Sequence, residues 1–504
     1  MTSIRLVEKK ITSHVLVVGL ARNSSKKLVI ESGDHQLNTA ALVKTLNQVG
    51  ASGAPDEVIK IPYSNPELIV FTGLGDAVKS YSGEVLRRAS GAAARALHGT
   101  PDAAFSLPYA TPRDIAAIAE GALLGSYVYT EFRSTTKSDI KPPLKNIELL
   151  SRSAGKSEVR TLVKRAEIIA EQVHCIRDFV NAPANHLNPE IFATKFKKLA
   201  TASGLKAEIF TDSQLKSQGF GGITSVGQGS ASKPRLLHVT YTPKNVSKNG
   251  SKTKKSKRIA LVGKGITFDT GGYALKPREG MVTMKCDMSG AATVVAAAIA
   301  IAQLKLPIEV HAWAALAENM VSDTATRPSD VISMYGGKTV EVLNPDAEGR
   351  LVLGDALVKA AEVGKKLGGL DGIVDVATLT GAQSIALGTR TAAVMTNNEE
   401  FQEVFLNAVK LSGELFWPMP LPEELRPSLD SPVADIANIG DRMGGMLVAG
   451  LFLKEFVEPQ LPWLHLDIAG PAFNSGKEYG YTPEGGTGMS LASLVTLAEE
   501  LLDS

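Results

Sequence analysis

Residues 258–292 read RIALVGKGITFDTGGYALKPREGMVTMKCDMSGAA. The stretch opens as an almost continuous apolar strand, Arg258 to Gly263, of the kind found in a sheet covered on both faces. A glycine-rich segment carrying Lys264, Asp269, Lys276 and Asp287 follows. It leads into AATVVAAAIAIA, Ala291 to Ala302, which is too short to span a bilayer and predicts a buried helix. Strand, polar loop and helix in that order form one step of an open α/β sheet, where ligands bind beyond the carboxyl ends of the strands. A second apolar strand, GIVDVATL from Gly372, supports the same class.

Further on, residues 344–357 read NPDAEGRLVLGDAL. If the start is extended, Asp346, Glu348 and Arg350 share one face, because side chains two apart point the same way. Leu353, Ala356, Leu357, Ala360 and Ala361 then recur at helical spacing, so a helix should begin near Arg350. Four carboxylates, two lysines and an arginine are thus candidates for one site. The plain alternative is a solvated salt-bridge network. Apolar flanks and clustered glycines, which let backbone approach closely, favour the site.

At 504 residues the chain exceeds what one core usually serves and predicts two domains. The 54 basic and 52 acidic residues leave a net charge of +2, so no global field attracts nucleic acid or an anionic membrane. Two cysteines, Cys175 and Cys286, make no disulfide framework and suit a reducing compartment, which predicts a cytoplasmic protein. The N-terminus alternates apolar and polar residues and predicts a strand rather than a signal peptide. Short apolar runs (VLVVGL, ELIVFTGLG) then alternate with alanine-rich helical stretches, as in an α/β layer. TGLGDA lacks the full dinucleotide-binding glycine pattern and predicts a strand-to-helix turn. An amphipathic helix, SEVRTLVKRAEIIAEQVHCIRDFV, ends in the breaker NAPANHLNPE. The domains are therefore set at 1–165 and 186–504, with 166–185 as linker helix and breaker. Residues 243–258 hold seven basic residues among few apolar ones and should form a mobile solvated loop.

NPDAEGRL resembles the signature of the leucyl aminopeptidase family of two-metal exopeptidases. VGKGITFDTGG, MKCDMSGAA, DVATLTGA and HLDIAG resemble its other blocks in the same order, across most of residues 178–490. EGALLGSYVYTEF and the RDFVNAPANHLNPE junction extend the likeness, more weakly, into the first third. The resemblance implies a smaller macro-like N-terminal α/β domain and a larger catalytic α/β domain with a mixed central sheet.

By the same resemblance, Lys264, Asp269, Asp287 and Glu348 would bind one metal, and Asp269, Asp346 and Glu348 the second. Lys264 would have to be neutral, as two adjacent cations could make it. The donors suit manganese or zinc, with magnesium or cobalt as alternatives. Two such ions roughly 3.5 to 4 Å apart can hold a bridging hydroxide and polarise a scissile carbonyl. Lys276 would donate to the developing oxyanion, and the Arg350 fork would hold a bicarbonate that relays protons, a role for which no histidine is then needed. Met284, Asn344, Thr378, Leu379, Gly381 and Ala469 match substrate-binding positions, and an adaptable apolar lining favours N-terminal leucine or methionine. The family further implies short peptide substrates and a homohexamer enclosing its active sites.

Three features depart from the pattern: Pro345 where threonine is commonest, Cys286 beside Asp287, and the basic segment. Pro345 should leave the ligands in place, and Cys286 reads as a silent neighbour. The basic segment keeps open a DNA-binding accessory role, ranked below catalysis. His186, His311 and His465 match no ligand position, and His465 and Asp467 read as core residues.

Overall fold

A computed structural model describes residues 2–244 and 257–503, so residues 245–256 of the basic segment lie outside the described residues. The chain divides into two compact units, Met1–His174 with Asn474–Glu484, and Cys175–Phe473 with Gly485–Ser504. The division falls inside the helix Ser157–Asn181, and the segment Asn474–Glu484, which sequence boundaries grouped with the second domain, belongs to the first unit.

The first unit is built on a seven-stranded mixed sheet. Its order is Ser3–Val7, Asn146–Leu150, Asp102–Ser106, Val15–Arg22, Leu68–Asp76 and Val58–Pro62, with Leu28–Glu31 paired to Val15–Arg22. TGLGDA is not a turn. The strand runs through it to Asp76, and the pairing jumps from Leu20 opposite Gly73 to Ala21 opposite Gly75, leaving Leu74 as a bulge. Two helices, Gly83–Ala96 and Pro112–Gly125, pack at close range. A Cβ on Gly121 would lie 2.0 Å from the Arg87 carbonyl oxygen, so only glycine permits that approach.

The second unit carries an eight-stranded mixed sheet in the order Phe416–Pro418, Ala392–Thr396, Trp463–Asp467, Gly372–Ala377, Arg258–Asp269, Glu309–Asn319, Arg235–Tyr241 and Lys206–Phe210. Four central strands, from Trp463–Asp467 to Glu309–Asn319, are mutually parallel. Gly372–Ala377 is buried at every residue, as its unbroken apolar run requires. The helix Ser289–Gln303 is buried from Ser289 to Ala302, which is why it shows no polar stripe. Extended back to Arg278 it has the length and apolarity of a membrane span, but 89% of that window is packed inside the protein.

Candidate active site

The site forms where the four parallel strands end together. Asp269 is the last residue of its strand, as are Asn319 and Asp467 of theirs, and Thr378 and Leu379 follow Ala377 directly. The Arg258 strand runs on past Gly263 to Asp269, so Lys264 stands inside the sheet, 3% exposed, rather than in a loop. Two helix starts complete the floor, Ser289 just after Asp287 and Gly349 just after Glu348. Both depend on glycine. A Cβ on Gly290 would meet the Val376 carbonyl oxygen at 1.9 Å, and one on Gly263 would meet the Ala291 Cα at 2.5 Å.

Residues 344–348 are not extended. The Ala347 amide donates to the Asn344 carbonyl at 3.0 Å, closing a turn, and the Asn344 side chain accepts from the Asp346 amide at 2.8 Å. Asp346 therefore sits in a turn, Glu348 holds the position just before the helix Gly349–Lys366, and Arg350 lies in its first turn. The turn, not a pleat, brings the acids together. Asp269, Asp346 and Glu348 each offer an oxygen within 4.8 Å of the others.

Lys264 Nζ links Asp287 to this group, donating to Asp287 Oδ1, Glu348 Oε1 and the Thr378 carbonyl, each at 2.8 Å. Lys276 Nζ faces Asp269 Oδ2 at 2.8 Å and Asp346 Oδ1 at 2.5 Å. Thr378 Oγ1 donates to Asp287 Oδ1 at 2.7 Å. All five predicted metal ligands and Lys276 are thus in one cluster. Burial drives the carboxyls of Asp287, Asp269 and Asp346 upward, and neighbouring acids add to the shift. Burial also opposes charge on the lysines, but the carboxylates outweigh it and hold both ammoniums above the ordinary lysine range.

Four carboxylates against two lysines leave an excess of negative charge, and two buried oxygens, Asp287 Oδ2 and Glu348 Oε2, have no hydrogen-bond partner among the described residues. Buried acceptors without donors are costly, so this donor set fits divalent metal ions.

Arg350 is buried and, among the described residues, bonds no carboxylate. Its Nη1 donates to the Asn438 carbonyl at 2.9 Å, its guanidinium lies 5.9 Å from the Phe452 ring centre, and its Nε has no hydrogen-bond partner among the described residues. Burial lowers its pKa to about 10 against the pull of Glu348 and Asp467, so it remains a cation at neutral pH. Cys286 is buried, and burial with the Asp287 charge pushes its thiol up to about 12, which keeps it protonated. His465 pairs through Nδ1 with Asp375 at 2.5 Å, and His311 with Glu309 at 3.0 Å; neither joins the carboxylate cluster.

The positions predicted to grip substrate divide into three sets. Thr378 touches the cluster directly, and Asn344 shapes its turn. Leu379 and Ala469 are held together by one oxygen, Asp467 Oδ1, which accepts from their amides at 3.1 and 3.2 Å. Met284 starts the short turn leading to Asp287, and Gly381 is exposed with open space where a Cβ would stand. Two residues at the site went unread in the sequence. Asn319 Nδ2 donates to Asp269 Oδ1 at 2.9 Å and to the Pro345 carbonyl at 3.0 Å, and Asn438 packs against the turn. Each is a buried asparagine beside apolar neighbours, a signal that marks a polar obligation without naming it.

A mixed sheet of this topology, with carboxylates and lysines gathered at its strand ends, defines the class of α/β protein with a candidate divalent-metal site. Residues 174–495 match the catalytic domain of the cytosol aminopeptidase family, and residues 15–136 match that family's N-terminal domain. A probable cytosol aminopeptidase of Streptomyces avermitilis is 48% identical over 501 residues, covering 96% of this chain and 95% of that protein. One from Streptomyces coelicolor is 46% identical, with the same coverage. Among solved structures, the bottromycin maturation enzyme BotP in complex with Mn superposes with a TM-score of 0.84 at 35% identity, covering 97% of this chain and 100% of that one. A tomato leucine aminopeptidase mutant gives a TM-score of 0.82 at 31% identity, with 99% and 96% covered. The chain belongs to the cytosol aminopeptidase family, and its activity is that of a metal-dependent aminopeptidase.

Proposed function

We propose that the enzyme removes N-terminal leucine and other apolar residues from short peptides, using two divalent ions, manganese or zinc first and magnesium or cobalt as alternatives. The observation that carries this reading is the convergence of Asp269, Asp346 and Glu348 beside Asp287 and Lys264, with two buried carboxylate oxygens left without donors. Lys264, Asp269, Asp287 and Glu348 would hold one ion, and Asp269, Asp346 and Glu348 the other. When bound, such ions lower the pKa of water and polarise a carbonyl. The protein's own residues supply the rest. Lys276, a firm cation, donates to the oxygen that gains charge. Arg350 presents a planar fork that matches bicarbonate, a borrowed base in place of histidine. Met284, Thr378, Gly381 and Ala469 would line the place of the first side chain, Leu379 would hold the substrate through its backbone, and Asn344 sets the turn beside them.

On this reading the enzyme works in the cytoplasm as a homohexamer, a state that light scattering would test. The test of the activity is release of leucine from leucinamide by chelator-stripped protein before and after adding Mn²⁺ or Zn²⁺, with N-acetyl-leucinamide alongside. Metal-restored cleavage of the free-amine substrate alone is expected. Equal cleavage of both, or none with any metal, would reject the reading.

A further inference from the structure

The turn that carries Asp346 is fastened by a residue distant in sequence. Asn438 is fully buried and follows the short strand Ile436–Ala437, which pairs in parallel with Thr339–Val342. Its Oδ1 accepts from the Leu343 amide at 2.9 Å and the Asn344 amide at 3.2 Å. Its Nδ2 donates to the Asn344 carbonyl at 2.7 Å and, more weakly, to the Ala347 carbonyl at 3.4 Å. One primary amide therefore spans both ends of the turn, and its orientation is forced, because amides face one side and carbonyls the other. The main chain of Asn438 does two further things. Its amide donates to the Glu341 carbonyl at 2.9 Å, fixing it to the strand, and its carbonyl takes Arg350 Nη1 at 2.9 Å.

We propose that Asn438 is a positioning residue that sets the affinity of the site for metal and holds Arg350 in register with it. The proposal rests on the metal reading above. Asp346 is the most exposed of the four acids, and the segment bearing it is a turn rather than sheet or helix, so its geometry has to be imposed from outside. Asn438 imposes it, together with Asn319, which ties the Pro345 carbonyl to Asp269. Outer partners that orient ligands commonly change metal affinity by about 10- to 100-fold when removed.

The test measures Mn²⁺ binding to chelator-stripped protein by equilibrium dialysis, with no substrate present. Asn438→Ala should bind Mn²⁺ at least about tenfold more weakly than wild type. Asn438→Asp should do no better, because its second oxygen would face two carbonyls. Asp435→Ala is the control. Asp435 accepts from the Thr339 amide and hydroxyl at 2.8 and 2.9 Å, so its loss weakens the same strand junction without touching the turn, and Mn²⁺ affinity should stay within roughly twofold. If Asn438→Ala does not fold, Asn438→Ser, which is small and polar but cannot span the turn, carries the same comparison. Equal weakening in Asp435→Ala, or wild-type affinity in a folded Asn438 variant, would overturn the proposal while leaving the metal reading intact. A wild-type protein that takes up none of Mn²⁺, Zn²⁺, Mg²⁺ and Co²⁺ would overturn both.

Discussion

Gly349 lies directly against the side chain of Lys264. A Cβ on Gly349 would stand 2.5 Å from Lys264 Cε and 2.7 Å from Nζ. Lys264 cannot yield easily, since its Nζ is held by Asp287, Glu348 and the Thr378 carbonyl. Gly349→Ala should therefore displace the lysine from the cluster. Helix propensity does not oppose the change, because alanine is a better helix former than glycine, although at this first helical position the gain is below the about 1 kcal/mol of a helix interior. The expected outcome is a melting temperature close to wild type and a fall of about tenfold or more in kcat/KM for leucinamide at saturating Mn²⁺, equivalent to about 1.4 kcal/mol. Wild-type kinetics in this variant would show that the lysine's position is not used.

Asp467 ties together the segments of Leu379 and Ala469, two positions proposed to hold substrate. Its Oδ1 takes the Leu379 and Ala469 amides, and its Oδ2 takes Thr380 Oγ1 at 2.7 Å. Asp467→Ala would leave two main-chain donors without an acceptor, a loss of about 1 to 3 kcal/mol for each group that stays buried. Asp467→Asn keeps one oxygen for the amides and lets the threonine hydroxyl accept instead. KM for leucinamide should rise about tenfold or more in the alanine variant and much less in the asparagine variant. A change in kcat alone, with KM fixed, would argue against a role in holding substrate.

How much of this was legible in the sequence follows from the range of the interactions. The α/β class, the buried Ala291–Ala302 helix and the helix starting at Gly349 rest on local periodicity, which the chain carries in one dimension. The site residues were named through ordered motif blocks, and Lys264, Asp269, Asp287, Asp346 and Glu348 are indeed assembled in one cluster. Local reasoning failed where a long-range partner decided the geometry. Asp346 and Glu348 looked like alternate positions of a strand, but Asn438, some ninety positions later in the chain, holds a turn there instead. TGLGDA looked like a turn, but pairing with Val15–Arg22 keeps it in the sheet. The strand at Arg258 looked finished at Gly263 because charged residues follow, yet Glu309–Asn319 pairs with it as far as Asp269.

Asp355, in the same helix as Arg350, gives stability a pH dependence. It is fully buried and accepts from the Ile223 amide at 2.8 Å and the Tyr335 amide at 2.7 Å. Burial pushes its carboxyl up to about 7, against the opposing pull of the amides of Tyr335, Ile223 and Gly222. Its pKa is thus higher folded than unfolded, so its contribution is fully present below the ordinary aspartate value of 3.8 and is lost as pH rises through about 7. Asp355→Asn removes that titration. Urea unfolding at about pH 5 and about pH 8 should show wild type losing more stability over the interval than Asp355→Asn. Parallel losses in the two proteins would rule out Asp355 as the source.

In the first unit, a buried charge cluster separates the worth of a pair from the cost of breaking it. Arg87 is 6% exposed, and its Nε donates to Glu120 Oε1 at 2.8 Å while Nη1 reaches Glu84 Oε2 at 2.6 Å. Glu120 is 5% exposed and stands next to Gly121, where the two helices come closest. Glu120→Ala leaves the buried guanidinium with Glu84 still paired to it, so the cost should fall below the about 3 to 5 kcal/mol of a fully broken buried pair. Replacing both partners by apolar groups of similar volume, Arg87→Met with Glu120→Leu, removes the charge along with its partner and should restore most of that loss. Glu84 limits the recovery, because it keeps part of its charge buried without Arg87. Denaturant midpoints should therefore rank wild type highest, the double variant a little below, and Glu120→Ala lowest. A double variant as unstable as the single would mean that the site needs the charges for fit, and that the close helix approach at Gly121 leaves no room for an apolar substitute.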